Sequence, residues 1–301
     1  MRVFVTGVNG QLGHDVLLEL RRRGHEAIGS GSGAVYTADD EGRLSTFVQL
    51  DITDKAAAEK TLDSLRPDAL IHCSAWTAVD AAEEAENKPK VYALNVSGTE
   101  NLAKAARGIG AKLLYLSTDY VFSGKGTEPW EADCGDFAPL NYYGETKLLG
   151  EKAVRENCDR AFIVRTAWVF GKNGKNFVKT MIGVGKTHAS VRVVNDQIGT
   201  PTYTKDLAVL LCDMIESDRY GTYHATNEGG YISWYDFCVE FYRQYGLPVT
   251  VIPVTTEEYG LSKAARPENS RLDRSKLTRN GFAPLPDWKD AVKRFLEEAE
   301  L

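Results

Sequence analysis

The chain has 301 residues, of which 43% are hydrophobic and 26% charged, the composition of a globular protein that can bury a sizeable core. Its formal net charge of −6 argues against general affinity for nucleic acid or for an anionic membrane. Scattered cysteines and histidines without metal-ligand spacing predict reduced thiols and no metal site. We expect a cytoplasmic protein, since neither a signal peptide nor a membrane-spanning run is evident.

The N-terminal residues predict a strand, a glycine turn and a helix. Residues 2–6 form a β-rich run with an apolar centre, and Gly7, Gly10 and Gly13 follow before an amphipathic stretch over 15–23. Glycines at such a turn let backbone N–H groups approach the pyrophosphate of a dinucleotide at the helix N-terminus. The spacing Gly-x-x-Gly-x-x-Gly departs from the dinucleotide fingerprint Gly-x-Gly-x-x-Gly, so a plain structural turn is the alternative.

A second strand, predicted at 25–29, leads into the segment that should set the cofactor preference. An acidic residue at its end would bind the ribose 2′-hydroxyl of NAD. The chain has Ser30 and Ser32 there instead, with Arg43 nearby in sequence, and these residues could accept the 2′-phosphate of NADPH. The alternative is that this glycine- and serine-rich segment is only a flexible loop.

Two more strands are predicted on this side of the chain, at 47–50 and 68–73. The first leads into Asp51 and Ile52, and Asp51 either lies beside the cofactor adenine or caps the next helix. The second leads into the loop 74–77, which would run alongside the phosphates and ribose of the cofactor.

A long helix is predicted over 87–108, and it carries Asn95 on a largely apolar face. A buried amide needs hydrogen-bond partners. Asn95 is therefore either a local structural residue or part of the site.

The strongest catalytic signal lies at the centre of the chain. The run 112–117 predicts a buried parallel strand that delivers Thr118 to the carboxyl edge of the sheet. A helix predicted over 139–157 places Tyr143 and Lys147 four residues apart on one face. The ammonium group would lower the pKa of the phenol toward the range of a general acid, and could also hold the hydroxyls of a cofactor ribose.

A second Tyr-x-x-x-Lys pair, Tyr259 and Lys263, has no strand before it. Roughly one such pair is expected by chance in a chain of this composition. We therefore expect no catalytic role for this second pair.

The last predicted strand of this pattern, at 160–167, leads into Trp168. An aromatic residue at such an edge packs in the core or, at the same edge as Thr118, against a sugar ring. We predict a Rossmann-type doubly wound parallel sheet over 1–170, to which part of 190–232 returns. Most of 171–301 should form a smaller, mixed α/β substrate-binding domain that closes a cleft.

The second region contains predicted helices near 176–186, 204–217 and 233–245. Three of its basic residues could bind an anionic substrate: Lys179, Arg192 and Arg266. As single charges, each could equally be a solvated surface residue or part of an ion pair.

Six motifs together resemble the extended short-chain dehydrogenase/reductase superfamily and, within it, the dTDP-4-dehydrorhamnose reductase family. They extend from the first helix to the last quarter of the chain. They are Gly-Gln-Leu-Gly at 10–13, Ser-Thr-Asp-Tyr-Val-Phe at 117–122, Tyr-Gly-Glu-Thr-Lys at 143–147, Arg-Thr-Ala-Trp-Val at 165–169, Asp-Gln-Ile-Gly-Thr-Pro-Thr at 196–202 and Ala-Arg-Pro at 265–267.

The resemblance implies NAD(P)H-dependent reduction of the C4 keto group of dTDP-4-dehydro-6-deoxy-L-mannose to dTDP-L-rhamnose. Tyr143 would protonate the developing alkoxide, Lys147 would hold the ribose, and Thr118 would hydrogen-bond the carbonyl oxygen. We expect NADPH as the cofactor, with NADH also accepted. The cofactor-binding candidates are Gly7, Gly10, Gln11, Leu12, Gly13, Ser30, Asp51, Ile52, Ala75, Trp76, Thr77, Leu116, Tyr143 and Lys147. The substrate-binding candidates are Thr118, Asp119, Tyr120, Trp168, Gln197 and Arg266.

Some members of the family pair through a metal ion held by acidic residues, whereas this chain has His14 and Asp15 after the glycine motif. We expect a monomer or a homodimer. Two other functions stay open: another nucleotide-sugar reductase or epimerase, and a non-catalytic subunit similar to the regulatory β-subunit of methionine adenosyltransferase.

Overall fold

The computed structural model describes residues 1–36, 46–299 and 301, so Arg43, a predicted contributor to cofactor preference, lies outside the described residues. The strands are β1 (Arg2–Thr6), β2 (Glu26–Gly31), β3 (Phe47–Gln49), β4 (Ala69–His72), β5 (Lys112–Thr118), β6 (Ala161–Thr166), β7 (Val169–Phe170), β8 (Ser190–Val194), β9 (Ile198–Gly199), β10 (Thr202–Tyr203), β11 (Gly221–His224), β12 (Asn227–Glu228), β13 (Ile232–Ser233), β14 (Thr250–Val254) and β15 (Leu285–Asp287). The α-helices are α1 (Gln11–Arg22), α2 (Lys55–Leu65), α3 (Val79–Ala82), α4 (Lys88–Tyr92), α5 (Thr99–Ile109), α6 (Tyr142–Asn157), α7 (Phe177–Gly185), α8 (Thr204–Ile215), α9 (Trp234–Tyr245), α10 (Thr256–Tyr259), α11 (Ser275–Arg279) and α12 (Trp288–Glu298).

Within the described ranges, seven strands form one parallel sheet in the order β11-β6-β5-β4-β1-β2-β3. The chain runs outward from β1 to β3 and then returns to build the other half from β4, so the direction of winding reverses between β1 and β4. Ligands of such sheets bind outside the carboxyl ends of the strands at this reversal. The predicted Rossmann-type doubly wound sheet is confirmed.

The sheet is covered on both faces, which explains why β4 and β5 are buried along their whole length. One face packs against α1 and α8 through residues such as Leu17 and Leu207. The other packs against α2 and α5 through residues such as Leu62 and Leu102. These two apolar layers fix the sheet and hence the positions of its carboxyl ends.

The predicted helix over 87–108 is present but is interrupted. A π-helical turn, Ala93–Gly98, joins α4 to α5 and contains the buried Asn95. A Cβ on Gly98 would lie 2.6 Å from Ile52, so the absence of a side chain lets the turn approach the end of β3.

The C-terminal region has its own apolar cluster, which includes Phe170, Phe237, Trp288 and Phe295. Around it lie the strand pairs β8–β14, β7–β10, β9–β13 and β12–β15. Strand β11, within the segment predicted to return, pairs with β6 in the main sheet. The domain boundary near residue 170 remains a prediction.

Two expectations from composition concern cysteines and membranes. Cys73, Cys134, Cys158, Cys212 and Cys238 are free, and the last three are buried, as expected for reduced thiols. None of the helices in the described ranges has both the length and the apolar character that a membrane crossing requires.

Leu207 tests the packing of α8 on the sheet, because it is fully buried in the apolar layer shared with α1. We expect Leu207→Ala to lower the free energy of unfolding by about 2–5 kcal/mol in urea denaturation, the usual effect of such a cavity. The control is Val209→Ala on the same helix, where the side chain is 41% exposed, and it should change stability by less than about 0.5 kcal/mol. Equal effects of the two substitutions would contradict this packing.

Candidate active site

Helix α6 carries the two residues of the predicted Tyr-x-x-x-Lys pair. It begins at Tyr142, three residues later than predicted, because the Asn141 side chain caps it by accepting a hydrogen bond from the Gly144 N–H at 2.8 Å. A Cβ on Gly144 would lie 2.3 Å from the Tyr120 carbonyl oxygen. The glycine therefore lets the first turn of α6 sit directly against the residues that follow β5.

Thr118 ends β5 at the carboxyl edge of the sheet, as predicted, and is followed by the 3₁₀ turn Asp119–Val121. The Thr118 hydroxyl donates to Asp119 Oδ1 at 3.0 Å and accepts from the Tyr120 N–H at 3.3 Å. The ring of Tyr120 meets that of Tyr143 edge-on, with centroids 5.6 Å apart. The structure thus brings Thr118, Asp119, Tyr120 and Tyr143 together.

Burial raises the pKa of the Tyr143 phenol, and the negative charge of Asp119 raises it further. The Thr118 hydroxyl is close enough to act in the opposite direction, but burial dominates. The net direction is opposite to the lowered pKa that the sequence predicted from Lys147, whose own effect on the phenol stays a prediction. The phenol is held protonated at neutral pH.

Lys147 lies one turn along α6 from Tyr143 and is buried. Its Nζ donates to the Leu116 carbonyl oxygen at 2.6 Å and lies 4.2 Å from the centre of the Tyr115 ring. Burial lowers the pKa of Lys147 to about 7, and the carboxylate of Glu151 opposes this shift. The amine of Lys147 therefore lies against β5, two residues before the strand ends at Thr118.

The glycine turn between β1 and α1 packs closely against the backbone around it. Gly7 has a φ of +73°, and a Cβ there would lie 2.8 Å from the backbone nitrogen of Ser74. A Cβ on Gly13 would lie 2.3 Å from the Gly7 carbonyl oxygen. Larger residues would therefore displace either the turn or the neighbouring loop.

Helix α1 begins inside the glycine motif, with Gly10 at its N-cap, and among the described residues no side chain caps it and no acid lies in its first turn. Uncapped N–H groups at a helix N-terminus favour an anion such as a diphosphate. Gln11, the first residue of α1, accepts a hydrogen bond from Asn176 at 2.9 Å, and Leu12 packs against the core. The residues present fit a dinucleotide.

The end of β2 lacks an acidic side chain, but its two serines differ. Ser30 is fully buried and its hydroxyl has no hydrogen-bond partner among the described residues, whereas Ser32 is exposed. An exposed hydroxyl is the one that a 2′-phosphate can reach without rearrangement. The preference for NADPH stays a prediction from these positions.

Asp51 does not cap the following helix, so that alternative is wrong. Its Oδ1 accepts from the N–H and the hydroxyl of Thr53 at 2.9 and 2.8 Å, while Asp54 caps α2 by accepting from Ala57. Asp51 is exposed at the end of β3 and Ile52 is buried behind it. A place beside the adenine remains the prediction for both.

Asn95 holds the loop that follows β4. Its Oδ1 accepts from the Trp76 N–H at 2.8 Å, and its Nδ2 donates to the Trp76 carbonyl oxygen and to Thr146 on α6. Ala75 and Trp76 are partly buried and Thr77 is exposed. Asn95 is therefore a structural link between the predicted cofactor loop and the catalytic helix.

Trp168 lies beyond the end of β6 with a φ of +51°, a conformation that bulky residues rarely adopt. Its indole stacks on Trp234 with centroids 3.9 Å apart. A Cβ on Gly199 would lie 3.0 Å from the indole, so Gly199 leaves room for the ring. Trp168 thus keeps a strained backbone conformation, and it lies at the same carboxyl edge of the sheet as Thr118.

Arg266 joins the site through Tyr120, since its Nη1 donates to the Tyr120 hydroxyl at 3.1 Å. Burial raises the pKa of Asp119 to about 6, which Ser270 and Thr118 oppose. One oxygen of this carboxyl, Oδ2, has no hydrogen-bond partner among the described residues. This oxygen is shielded from solvent, since Asp119 is only 2% exposed.

Other candidates do not join this group. Gln197 donates to Thr256 at 3.0 Å. Lys179 and Arg192 donate to backbone carbonyl groups of Lys172 and Glu258 respectively, so both have structural contacts.

The second Tyr-x-x-x-Lys pair shares no helix, because α10 ends at Tyr259, and Lys263 pairs with Glu84. The expectation that this pair is not catalytic agrees with its geometry.

Sequence reasoning missed several residues that support the site. Asn141, Asp80 and Asn176 make side-chain contacts to Gly144, Arg266 and Gln11. For Asn141 a signal existed, since an Asn directly before a helix is a common N-cap. Asp80 and Asn176 act on residues far away in sequence and give no local signal.

The shifted pKa of Lys147 predicts how stability depends on pH. The folded protein releases the Lys147 proton near pH 7, whereas the unfolded chain keeps it to about 10.5. Between these values the unfolded chain binds more protons, so the free energy of unfolding should rise with pH. Relative to Lys147→Met, the wild-type chain should gain on the order of a few kcal/mol between pH 7 and 9.5 in urea denaturation. A difference that does not change with pH would show that the buried lysine stays charged.

The chain is similar to known proteins over nearly its whole length. A family model described as the RmlD substrate binding domain matches residues 1–301. The dTDP-4-dehydrorhamnose reductase of Streptomyces griseus is 41% identical over 298 residues, 97% of this chain and 91% of that protein. The crystal structure of a dTDP-4-dehydrorhamnose reductase from Clostridium acetobutylicum is 40% identical with a TM-score of 0.89, and covers 99% of both chains. The structure of the Bacillus anthracis dTDP-4-dehydrorhamnose reductase in complex with NADP is also 40% identical, with a TM-score of 0.88 and 99% coverage of both chains. The chain belongs to the dTDP-4-dehydrorhamnose reductase family.

Proposed function

We propose that this protein reduces the C4 keto group of dTDP-4-dehydro-6-deoxy-L-mannose with NADPH, giving dTDP-L-rhamnose in the last step of its synthesis. The observation that carries the proposal is the convergence of Thr118, Tyr143 and Lys147 at the carboxyl edge of the sheet, beside a glycine turn that fits a dinucleotide. The NADP complex of the Bacillus anthracis relative supports the choice of cofactor.

The cofactor would lie across the reversal point of the sheet. Its diphosphate would meet the uncapped N-terminus of α1 at Gly10 and Gln11, and its nicotinamide ribose would meet Lys147. The nicotinamide supplies the hydride when bound. The protein then has to place the sugar C4 carbon and provide a proton.

Tyr143 is suited to provide that proton because burial keeps its phenol protonated. The alkoxide that forms at C4 is a strong base, so it can take the proton of a weak acid held in hydrogen-bond contact. The Thr118 hydroxyl, 3.0 Å from Asp119 Oδ1, would turn toward the substrate oxygen and hold it beside the phenol. Proton donor and carbonyl oxygen would then be in hydrogen-bond contact as the charge develops.

The remaining substrate contacts would come from residues next to Thr118 and Tyr143 and from Trp168 beyond β6. The carboxyl of Asp119 is buried beside Thr118, so its side chain would have to turn toward the substrate to accept a hydrogen bond from a sugar hydroxyl. The indole of Trp168, fixed by Trp234, offers a flat apolar surface for the sugar ring. Arg266 and Tyr120, which are hydrogen-bonded to each other, would provide further contacts to the substrate.

Tyr143→Phe tests the proton-donor assignment. Turnover with the 4-keto sugar nucleotide should fall by at least about 100-fold, the lower range for loss of a general acid. The Kd for NADPH, followed by nicotinamide fluorescence, should change by less than about twofold because the phenol is not the main cofactor contact.

The matched control is Tyr142→Phe in the same turn, whose hydroxyl makes only a long contact to the Lys88 carbonyl oxygen at 3.4 Å. It should keep wild-type turnover. Lys147→Ala should lose both turnover and affinity for NADPH. A Tyr143→Phe variant with nearly full kcat would show that another group donates the proton.

A further inference from the structure

Residues 264–267 lie between α3 and the N-cap of α6, and one carboxylate on α3 binds this segment at two points. We call this segment the clasp. Asp80, on α3, accepts from the Ala264 N–H through Oδ1 at 3.0 Å and from Arg266 Nη2 through Oδ2 at 2.7 Å. Both oxygens of Asp80 are therefore engaged with the clasp.

The inner side of the clasp contacts the surroundings of Tyr143 at two points. Arg266 Nη1 donates to the Tyr120 hydroxyl at 3.1 Å, and the ring of Tyr120 meets that of Tyr143. The Ala265 carbonyl oxygen accepts from Asn141 Nδ2 at 2.8 Å, and Asn141 is the N-cap of α6. A displacement of the clasp would therefore move or release Tyr120 and Asn141, both of which lie next to Tyr143.

Pro267 fixes the far end of the clasp. A Cβ on Gly124, whose φ is +67°, would lie 2.5 Å from Pro267, so the proline packs directly on this glycine. The near end has less support: Leu261 is 77% exposed, and Lys263 pairs with Glu84 at the surface. Asp80 binds the clasp between these two ends, at Ala264 and Arg266.

We propose that Asp80 is a positioning residue for the sugar-nucleotide substrate: it keeps the clasp closed against Tyr120 and Asn141 before the substrate arrives. The inference rests on the proposed function. Asp80 lies three residues after Thr77 and would not touch the reacting atoms; it acts through Arg266 and Ala264. Its charge-assisted hydrogen bond to Arg266 is stronger than a neutral one.

The effect should appear in substrate affinity. If the clasp is closed only part of the time, the apparent affinity for a ligand that needs it closed falls by the closed fraction. Once substrate is bound, the clasp is closed in either case and the chemical step is unchanged. Loss of Asp80 should therefore raise KM for the sugar nucleotide and leave kcat unchanged.

The test compares Asp80→Ala with Glu84→Ala, which removes the neighbouring ion pair to Lys263 but leaves Arg266 and Ala264 in place. We expect Asp80→Ala to raise KM for the 4-keto sugar nucleotide about tenfold, because one charge-assisted hydrogen bond is lost. The values of kcat and of KM for NADPH should stay within about twofold of the wild type. Asp80→Asn keeps an acceptor for one of the two donors and should fall between. Glu84→Ala should match the wild type.

A second readout does not depend on the reaction. Hydrogen exchange of the Ala264 amide, followed by mass spectrometry on the full chain with NADPH bound, should be faster in Asp80→Ala and unchanged in Glu84→Ala. Faster exchange with an unchanged KM would overturn the proposal, because the clasp would then be only structural. An equal rise in KM for Glu84→Ala would also overturn it.

The two proposals fail in different ways. A wild-type protein without turnover would contradict the proposed function, whereas unchanged Ala264 exchange in Asp80→Ala would contradict only the role of Asp80.

Discussion

The active site depends on one buried ion pair, between Glu151 on α6 and Arg165 on β6. Both side chains are fully buried, and two hydrogen bonds of 2.7 Å join them. Ser117 on β5 donates to the same carboxylate at 2.5 Å. Burial acts to raise the pKa of Glu151, but its contacts with Arg165 outweigh this and hold the pKa below its usual value. Breaking this pair would leave an unpaired buried charge and destabilise the fold by about 3–5 kcal/mol. Arrangements of α6, β5 and β6 that separate Glu151 from Arg165 are therefore unfavourable.

The paired arrangement sets the position of each reactive group. Ser117 precedes Thr118, and Glu151 lies one turn beyond Lys147 on the same helix. The carboxylate also opposes the fall in the pKa of Lys147 that burial causes. In our interpretation, burial keeps the phenol of Tyr143 neutral and places the pKa of Lys147 near neutral pH. The ion pair makes such burial tolerable by fixing α6 against β5.

The alternation of strands and helices made the sheet predictable, since each parallel strand is a short apolar run followed by polar residues. The Tyr143–Lys147 pair followed from helical spacing together with the strand that precedes it, since the same spacing also occurs at Tyr259 and Lys263. The pKa of Tyr143 did not follow from either, because it depends on burial by residues distant in sequence. Asp80 and Arg266 are 186 positions apart, so no local pattern links them. Helix α12 was missed although Asp287 caps it and Trp288, Ala291, Val292 and Phe295 form a buried face at helical spacing.

The most direct test of the account is transfer of hydride to the sugar. NADPH deuterated at both C4 positions would be supplied with dTDP-4-dehydro-6-deoxy-L-mannose, generated in situ by the upstream dehydratase and epimerase. We predict dTDP-L-rhamnose with one deuterium on the sugar C4 carbon, formed in step with cofactor oxidation. The contrary result is a folded protein that binds NADPH but neither oxidises it nor labels the sugar. That result would show that the residues around Tyr143 do not perform this reduction.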